Sequence, residues 1–314
     1  MSYEELRSHA EEIKRLAIEK TVEEIEDALD GDPDQDTAVA IVRRQAEETF
    51  AGVEAIFDDW TDLPDPWLLG GGTGNIAAAL PFLASSSYLD DATANEWAGA
   101  AGTSHNISQI EPTGAFMQGW TSGTSLSYAN FASLFGPVTS NLSMAAHVLK
   151  GACEAEEALW TEARKSIDEL AHATIDALGS VNDKDPKGVS TALTVIGAVA
   201  GIVAVPFTAG GSLVAAYSFA AIAGGLSIGG AFVPEAEETA SSISGSSPRE
   251  IVESLRAEMT KLNNDIIAKE DDIARALSDS ADDFEAAYAL EPGQSPVKMP
   301  RPSVADNPTF GGRE

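Results

Sequence analysis

The chain has 314 residues and a hydrophobic content of 44%, which is enough for one large domain or two ordinary ones and too apolar for wholesale disorder. Its 50 acidic and 19 basic residues give a formal net charge of -31. A surface this acidic repels the phosphates of nucleic acids and the headgroups of anionic lipids, so we expect no nucleic-acid partner. We interpret the acidity as a solvated surface kept soluble by self-repulsion, with a specific cationic partner as the alternative.

Cysteine usage and the first residues bear on the compartment. Cys153 is the single cysteine, so an intramolecular disulfide or a thiolate metal cluster is excluded. Residues 1–7 lack the basic and apolar regions of a secretory signal peptide. We therefore expect a cytoplasmic protein, or one that is secreted by a non-classical route that does not use such a peptide.

Residues 1–60 predict a pair of helices, because apolar residues recur there at intervals of three and four. The first helix is predicted over 2–30, and Gly31 and Pro33 form the turn that ends it. The second helix is predicted from about Asp36 to Trp60. Helices joined by so short a turn pack antiparallel, so these residues are expected to form an N-terminal helical pair.

Residues 61–140 form a Trp/Gly-rich region in which proline, glycine, serine and threonine interrupt any long period. We expect loops here and two short helices, at about 75–84 and 91–100. The run from Gly70 to Gly74 invites comparison with a phosphate-binding loop. However, the lysine and hydroxyl residue of that motif do not follow, and no strand is predicted before it. We therefore predict a flexible turn at this run.

Two long amphipathic helices are predicted in the second half of the chain. The first covers about 141–179, with Asn141 or Ser140 as N-cap and Gly179 just after the last turn. The second covers about 248–290, with Ser247 as N-cap and Pro248 at the first helical position. Five prolines lie beyond the second helix and predict a disordered tail over residues 291–314.

A hydrophobic segment without a single charged residue, 188–234, separates the two long helices. Three residues predicted to form a hinge divide it into apolar arms at about 190–205 and 212–233: Pro206, Gly210 and Gly211. Residues 141–290 are thus expected to form a long helix, a hydrophobic hairpin and a second long helix. The fold class predicted for the whole chain is all-α, an elongated helical bundle with long coiled helices and a hydrophobic helical hairpin.

Two interpretations of segment 188–234 stay open at this point. Helices that are hydrophobic all round can form the buried centre of a bundle. Alternatively, the hairpin inserts conditionally into a membrane, since the second arm reaches the length of about 20 apolar residues that a spanning helix needs. In that case the larger apolar side chains are expected to contact lipid: Val195, Ile196, Val199, Ile202, Val203, Val205, Phe207, Leu213, Val214, Phe219, Ile222, Leu226, Ile228 and Phe232.

Groups that would carry catalysis or bind a metal show no recognisable pattern along the chain. The four histidines, His9, His105, His147 and His172, have no metal-ligand spacing among themselves and are interpreted as surface or packing groups. The sequence also lacks a nucleophile elbow and a recognisable Cys/His pair. We therefore expect a non-enzymatic protein without a cofactor or metal.

One short motif resembles a known family. Trp97-Ala98-Gly99 fits the Trp-X-Gly turn of the WXG family, the helical hairpins exported by type VII secretion systems. The resemblance implies that Trp97 packs at a hairpin turn and that Gly99 lets the chain reverse. The larger substrates of these systems are similar in the order of their parts, with an Ala/Gly-rich hydrophobic region and a Pro/Gly-rich tail. The family's export signal, a tyrosine with an acidic residue four places on, does not occur at Tyr88, Tyr128 or Tyr288.

The order of elements also resembles the α-helical pore-forming toxins of the haemolysin and cytolysin type, whose hydrophobic hairpin is masked until it meets a membrane. Taken together, we expect a non-enzymatic secreted or secretion-associated helical protein with a conditionally membrane-interacting hairpin. The alternatives are a pore-forming toxin component and a cytosolic helical scaffold in which the hairpin is buried core. The expected partners are a membrane, a helical protein or a second copy of the chain.

Overall fold

The structure is a computed structural model, and it describes residues 3–30, 33–83, 123–181, 189–195, 239–291 and 294–299. Within these ranges the regular structure is helical apart from two short strands, so the predicted all-α helical bundle is confirmed. In chain order the elements are α1 (Leu6–Ala28), α2 (Gln35–Thr49), α3 (Ala55–Asp58), α4 (Pro66–Ala79), α5 (Gly123–Ser180), β1 (Val189–Val195), β2 (Thr239–Gly245) and α6 (Pro248–Ala289).

The described residues group into two compact units, each of them discontinuous in sequence. The first unit contains the residues before Trp67, those from Ala158 to Val195 and those from Thr239 to Glu270. The remaining described residues form the second unit. The long helices α5 and α6 are each divided between the two units, at Ala158 and after Glu270. The units therefore do not correspond to a contiguous division of the sequence.

In the first unit, α1 and α2 form the antiparallel pair that the sequence predicted. The Gln35 side chain donates a hydrogen bond to the carbonyl oxygen of Glu26 at 3.2 Å, where the chain turns. At the far end, the Lys14 ammonium lies 3.0 Å from the Glu54 carboxylate. The pair buries one face of α1 at the spacing expected of an amphipathic helix: Leu6, His9, Ala10, Ile13, Ala17 and Val22.

The second helix is shorter than predicted, because α2 ends at Thr49 rather than continuing to Trp60. The N–H of Val53 bonds to the carbonyl of Phe50 at 3.1 Å, an i to i+3 contact typical of a turn, before the short α3 begins. Gly52 lies in this break, and glycine inside a helix costs about 1 kcal/mol relative to alanine. The break coincides with a packed apolar cluster, since Phe50, Val53 and Phe57 are all buried.

Tyr3 fastens the N-terminus to the residues that follow α3. Its hydroxyl donates to the carbonyl of Trp60 and accepts a hydrogen bond from the N–H of Leu63 at 3.2 Å. The guanidinium of Arg164, on α5, lies 4.7 Å from the centre of the Tyr3 ring and donates to the carbonyl of Leu63 at 2.8 Å. This network holds the first turn of the chain against α5, which positions α1 for the contacts described below.

The boundary of the uncharged segment differs from the prediction. Residues 189–195 and 239–245 are strands that pair antiparallel, whereas a helical arm was expected to start at about residue 190. The sequence of β1, Val-Ser-Thr-Ala-Leu-Thr-Val, explains the difference. Four of its seven residues are β-branched, which favours a strand over a helix. The helical-arm prediction is therefore wrong for residues 190–195.

In the second unit, the glycine run is helical and not the flexible turn that the sequence predicted. Gly70 to Gly74 lie inside α4, which begins at Pro66, a favoured residue for the first helical position. A methyl group added at Gly70 would lie 3.0 Å from the Glu157 carboxylate, so the missing side chain leaves room for the end of Glu157. Of the predicted short helices, the one at 91–100 lies outside the described residues.

The predicted start of α5 is wrong, since the helix begins at Gly123 and includes Ser140 and Asn141. Its predicted end is correct to within one residue, since the helix ends at Ser180, although Gly179 lies inside the last turn. Asn141 does not cap a helix. Its buried side-chain amide donates to the carbonyl of Pro296 at 2.8 Å. Residues 295–297 are buried, so the disorder expected over 291–314 does not apply to this stretch. The expected start of α6 is confirmed, because the helix begins at Pro248 and the N–H of Glu250 donates to the Ser247 hydroxyl at 3.3 Å.

Candidate functional site

Val195 is the one predicted membrane-contacting residue within the described part of the chain, and it is the last residue of β1. The others lie outside the described residues, as do the hinge residues Pro206, Gly210 and Gly211 and the turn residues Trp97 and Gly99. Among the described helices, none is both long enough and apolar enough to cross a bilayer. The structure therefore bears on the uncharged segment only through β1, which lies inside it, and through β2, which begins at Thr239, after the segment ends.

These strands form the base of the uncharged segment. The pairing runs from Val189 opposite Gly245 to Val195 opposite Thr239. Directly opposed residues of an antiparallel pair have Cα atoms about 4.5–5.5 Å apart. The two ends of residues 196–238 are therefore joined to the described structure at neighbouring points.

The base is joined to the start of α6. Ile243, on β2, is fully buried, and the N–H of Ser244 donates to the Ser254 hydroxyl at 3.3 Å. Gly245 lies so close to α6 that an added methyl group would be 2.7 Å from the backbone nitrogen of Ile251. The return strand is thus anchored on a long helix by a buried side chain, a hydrogen bond and a close backbone approach.

A second candidate site lies where α1 contacts α5, also in the first unit. His9 projects from α1, while Asp168 and His172 project from α5 one helical turn apart. One ligand-type atom from each of the three residues lies within 4.8 Å of the other two. Nδ1 of His9 and Nδ1 of His172 each lie 3.6 Å from a carboxylate oxygen of Asp168. The imidazole rings meet edge to face, with their centroids 4.5 Å apart.

The surroundings of His9 disfavour its charged form. Burial lowers the pKa of His9, and the neighbouring His172 lowers it further, against the opposing effects of Asp168 and Glu5. His9 is 5% exposed, and neither its Nδ1 nor Oδ1 of Asp168 has a hydrogen-bond partner. Because buried polar atoms are rarely left unsatisfied, this pair needs an explanation. Two imidazoles and a carboxylate are able to bind a metal or share a proton.

Sequence spacing did not reveal this cluster. Asp168 and His172 are four residues apart on one helix and therefore share a face, which is a usable local signal. His9 is far away in sequence, and only the packing of α1 on α5 brings it to them. The spacing of the histidines alone indicated no shared site, whereas the structure brings His9 and His172 into ring contact.

The first unit also contains an open groove of about 580 Å³. Its walls combine two tryptophans, Trp60 and Trp160, with the half-exposed Ile267 and the charged groups of Arg256 and Glu270. Arg256 donates to the carbonyl of Gly52 at 3.5 Å, so it is partly engaged in the wall itself. An amphipathic lining of this kind suits an apolar side chain with a polar end.

Comparison of the chain with protein-family models, with curated proteins and with solved structures finds no match. The resemblances to WXG proteins and to α-helical pore-forming toxins therefore stay predictions from the sequence.

Proposed function

We propose that the protein is a secreted or secretion-associated helical protein, without catalytic activity, that acts on membranes through its uncharged segment, residues 188–234. The observation that carries the proposal is the strand pair at the base of this segment. Because Val195 is opposite Thr239, the two ends of residues 196–238 are held side by side, so these residues would be able to move without separating the strands. A conditionally inserting hairpin needs this topology, since the helices must stay folded while the loop moves.

Composition supports the same proposal. Segment 188–234 contains no charged residue, although the whole chain has a net charge of -31. Charged side chains cost about 2.5–3.5 kcal/mol each at the centre of a membrane helix, so their complete exclusion removes the main obstacle to insertion. Alanine and glycine dilute the larger apolar residues, which keeps insertion only mildly favourable and lets the segment also exist outside a membrane.

The charge of the helices indicates which membrane is favoured. An acidic surface repels anionic headgroups, and this repulsion is screened over a Debye length of about 10 Å at 0.1 M salt. We therefore expect activity on zwitterionic vesicles at any salt concentration, and on anionic vesicles only as the salt concentration rises.

Dye release from phosphatidylcholine vesicles tests the proposal with a variant designed on the register of the strands. Residues 196–238 are replaced by Asn-Gly, a two-residue turn that suits the opposed pair Val195 and Thr239. The full chain is expected to release dye and the variant is not. Circular dichroism of the variant should retain the helical signal, since the described helices do not include the deleted residues.

Two other outcomes would count against the proposal. Loss of helical signal in the variant, with no dye release by the full chain, would identify the segment as the core of a scaffold. Equal dye release by both chains would place the membrane activity elsewhere. Vesicles that release contents of graded size separate a pore-forming component, which shows a size limit, from general disruption of the bilayer.

The secretion part of the proposal is supported only by the Trp97-Ala98-Gly99 motif. Replacing Trp97 with alanine in a host that has a type VII system should reduce export, with Trp67→Ala, an exposed tryptophan on α4, as the matched control. Equal export of both variants would remove this part of the proposal and leave the membrane activity standing.

A further inference from the structure

We propose that His9, Asp168 and His172 bind one divalent transition-metal ion of the zinc class at the contact between α1 and α5. This site is independent of the membrane function proposed above, and it uses none of the residues of the uncharged segment. The ion would join α1 to α5.

The separations in the cluster are close to those of a metal site. Zinc bonds to nitrogen and carboxylate oxygen are about 2.0–2.2 Å long, so neighbouring ligands of a tetrahedral ion are roughly 3.3 Å apart. Nδ1 of His9 lies 3.6 Å from Oδ1 of Asp168, and a ligand atom of His172 lies within 4.8 Å of ligand atoms of both. A contraction of a few tenths of an ångström would bring the His9 and Asp168 atoms to ligand distance, and a larger side-chain movement would bring His172. One coordination position would be left for water or another ligand.

The unsatisfied buried atoms give independent support. Nδ1 of His9 and Oδ1 of Asp168 lie in contact with each other and lack hydrogen bonds, although His9 is 5% exposed. A cation between them would satisfy a nitrogen lone pair and a carboxylate oxygen together.

A backbone contact sets the tautomer of His172. Its Nδ1 lies 2.7 Å from the backbone carbonyl oxygen of Asp168. A carbonyl oxygen only accepts hydrogen bonds, so this nitrogen must carry the proton and Nε2 carries the lone pair. A hydrogen bond from one ring nitrogen to a carbonyl is the usual support for a histidine that binds metal through the other nitrogen.

The ligand types select the class of ion. Two imidazoles with one carboxylate suit zinc and its neighbours among the first-row transition metals, whereas magnesium and calcium prefer oxygen ligands throughout. This difference matters for a chain with 50 acidic residues, because surface carboxylates bind divalent ions loosely. Excess magnesium occupies such carboxylates without competing for the imidazoles.

Titration of the chelator-treated full chain with Co²⁺, in the presence of excess Mg²⁺, tests the proposal. We expect about one equivalent of Co²⁺ to bind with the visible absorption of a low-coordinate nitrogen-containing site. Zn²⁺ should abolish this absorption by displacement, and it should raise the unfolding temperature because it binds only the folded chain. A spectrum of the six-coordinate aqueous type throughout the titration would overturn the proposal.

Two variants remove ligands and one serves as a matched control. Asp168→Asn and His172→Gln should each weaken Co²⁺ binding by more than about tenfold, since even outer-shell changes cost 10–100-fold. Asp176→Asn makes the same charge change at an exposed position of α5 and should bind as the native chain does. Equal affinity in all three variants would show that surface carboxylates hold the ion.

If a variant does not fold, NMR of the imidazole nitrogens in the native chain tests whether histidines bind the ion. The chain has four histidines. Zn²⁺ should shift the ring nitrogens of two of them if the proposal holds. Unshifted ring nitrogens would contradict it and would leave Asp168 as the shared partner of two imidazoles.

Discussion

The described helices and the uncharged segment 188–234 differ in their content of charged residues. The helices carry ion pairs along their exposed faces, such as Arg15 with Glu12 and Glu19 on α1, and bury apolar residues on the opposite faces. The segment excludes charge altogether. Under the proposed function, the helices determine the stability of the fold and the segment carries the membrane activity. Substitutions in one region should then leave the property of the other unchanged.

The largest effect on stability is expected from the core of α5. Leu170 is fully buried, and Leu170→Ala should lower the free energy of unfolding by about 2–5 kcal/mol because it leaves a cavity. Leu149→Ala, at a residue of the same helix that is 45% exposed, is the control and should cost less than 1 kcal/mol, about the size of an ordinary surface change. Urea unfolding measures both. Equal costs would mean that α5 is not packed as the structure describes.

A charge inside the uncharged segment should affect membrane activity and not stability. Ile222→Asp is expected to reduce dye release about 100-fold, because an aspartate at the centre of a membrane helix costs about 3 kcal/mol. Ile41→Asp adds the same charge at a residue of α2 that is 46% exposed, and it should leave dye release unchanged. If Ile222→Asp instead lowers the free energy of unfolding by several kcal/mol, the segment is buried core.

The strand pair connects the uncharged segment to the helices, and a substitution at Gly245 tests how tightly β2 packs on α6. In Gly245→Ala the new methyl group would lie 2.7 Å from the backbone nitrogen of Ile251 and 2.9 Å from its side chain. Backbone does not yield easily, so we expect a cost of about 1–3 kcal/mol, as for other overpacked sites. At Gly179 an added methyl group meets nothing within 4 Å, so Gly179→Ala should not destabilise. Thermal unfolding distinguishes the two.

The smallest mutational effect is expected at the start of α6. Ser247→Ala removes the hydroxyl that accepts the N–H of Glu250 and should cost about 1 kcal/mol, the usual value for an N-cap. Ser278→Ala, at an exposed position within the same helix, should be neutral or slightly stabilising because alanine has the higher helix propensity. A cost at Ser278 equal to that at Ser247 would contradict the capping role.

The same helix start gives a pH dependence with a definite sign. Hydrogen bonds from the hydroxyl and the backbone N–H of Ser246 lower the pKa of Glu250. The folded chain therefore favours the ionised carboxylate. The resulting stability is present above the pKa of the unfolded glutamate and is lost as the pH falls through the lower pKa of the folded state. Glu250→Gln should differ most from the native chain near neutral pH and least in acid, as measured by urea unfolding.

Local signals account for the parts of the fold that the sequence predicted well. Ser247 and Pro248 are a helix-start signal made of adjacent residues, and α6 begins at Pro248 as they predict. The antiparallel pair of α1 and α2 follows from a turn of equally local character. The glycine run in α4 shows the limit of this reasoning. Its helical form is accompanied by the close approach of Gly70 to Glu157, a contact that no local pattern contains.

The candidate sites were predictable to different extents. The uncharged segment is visible in the composition, but the strands at its base depend on pairing between residues such as Val195 and Thr239, which are distant in sequence. The histidine cluster shows the same dependence on tertiary packing. Asp168 and His172 share a helix face by spacing alone, whereas the participation of His9 follows only from the contact of α1 with α5.

The strand pair has a consequence for engineering this chain. Since the register holds Val195 opposite Thr239, the two positions are natural splice points for foreign sequence. Each doubling of the length of a flexible insert adds only about 0.6 kcal/mol of closure entropy. Inserts of quite different length should therefore be tolerated, provided that the strands themselves are kept intact. A one-residue slip of β2 would turn Ile243 from its buried position to the opposite face. The chain could therefore display inserted sequences between Val195 and Thr239, because the hydrogen bonds between β1 and β2 hold these two positions together.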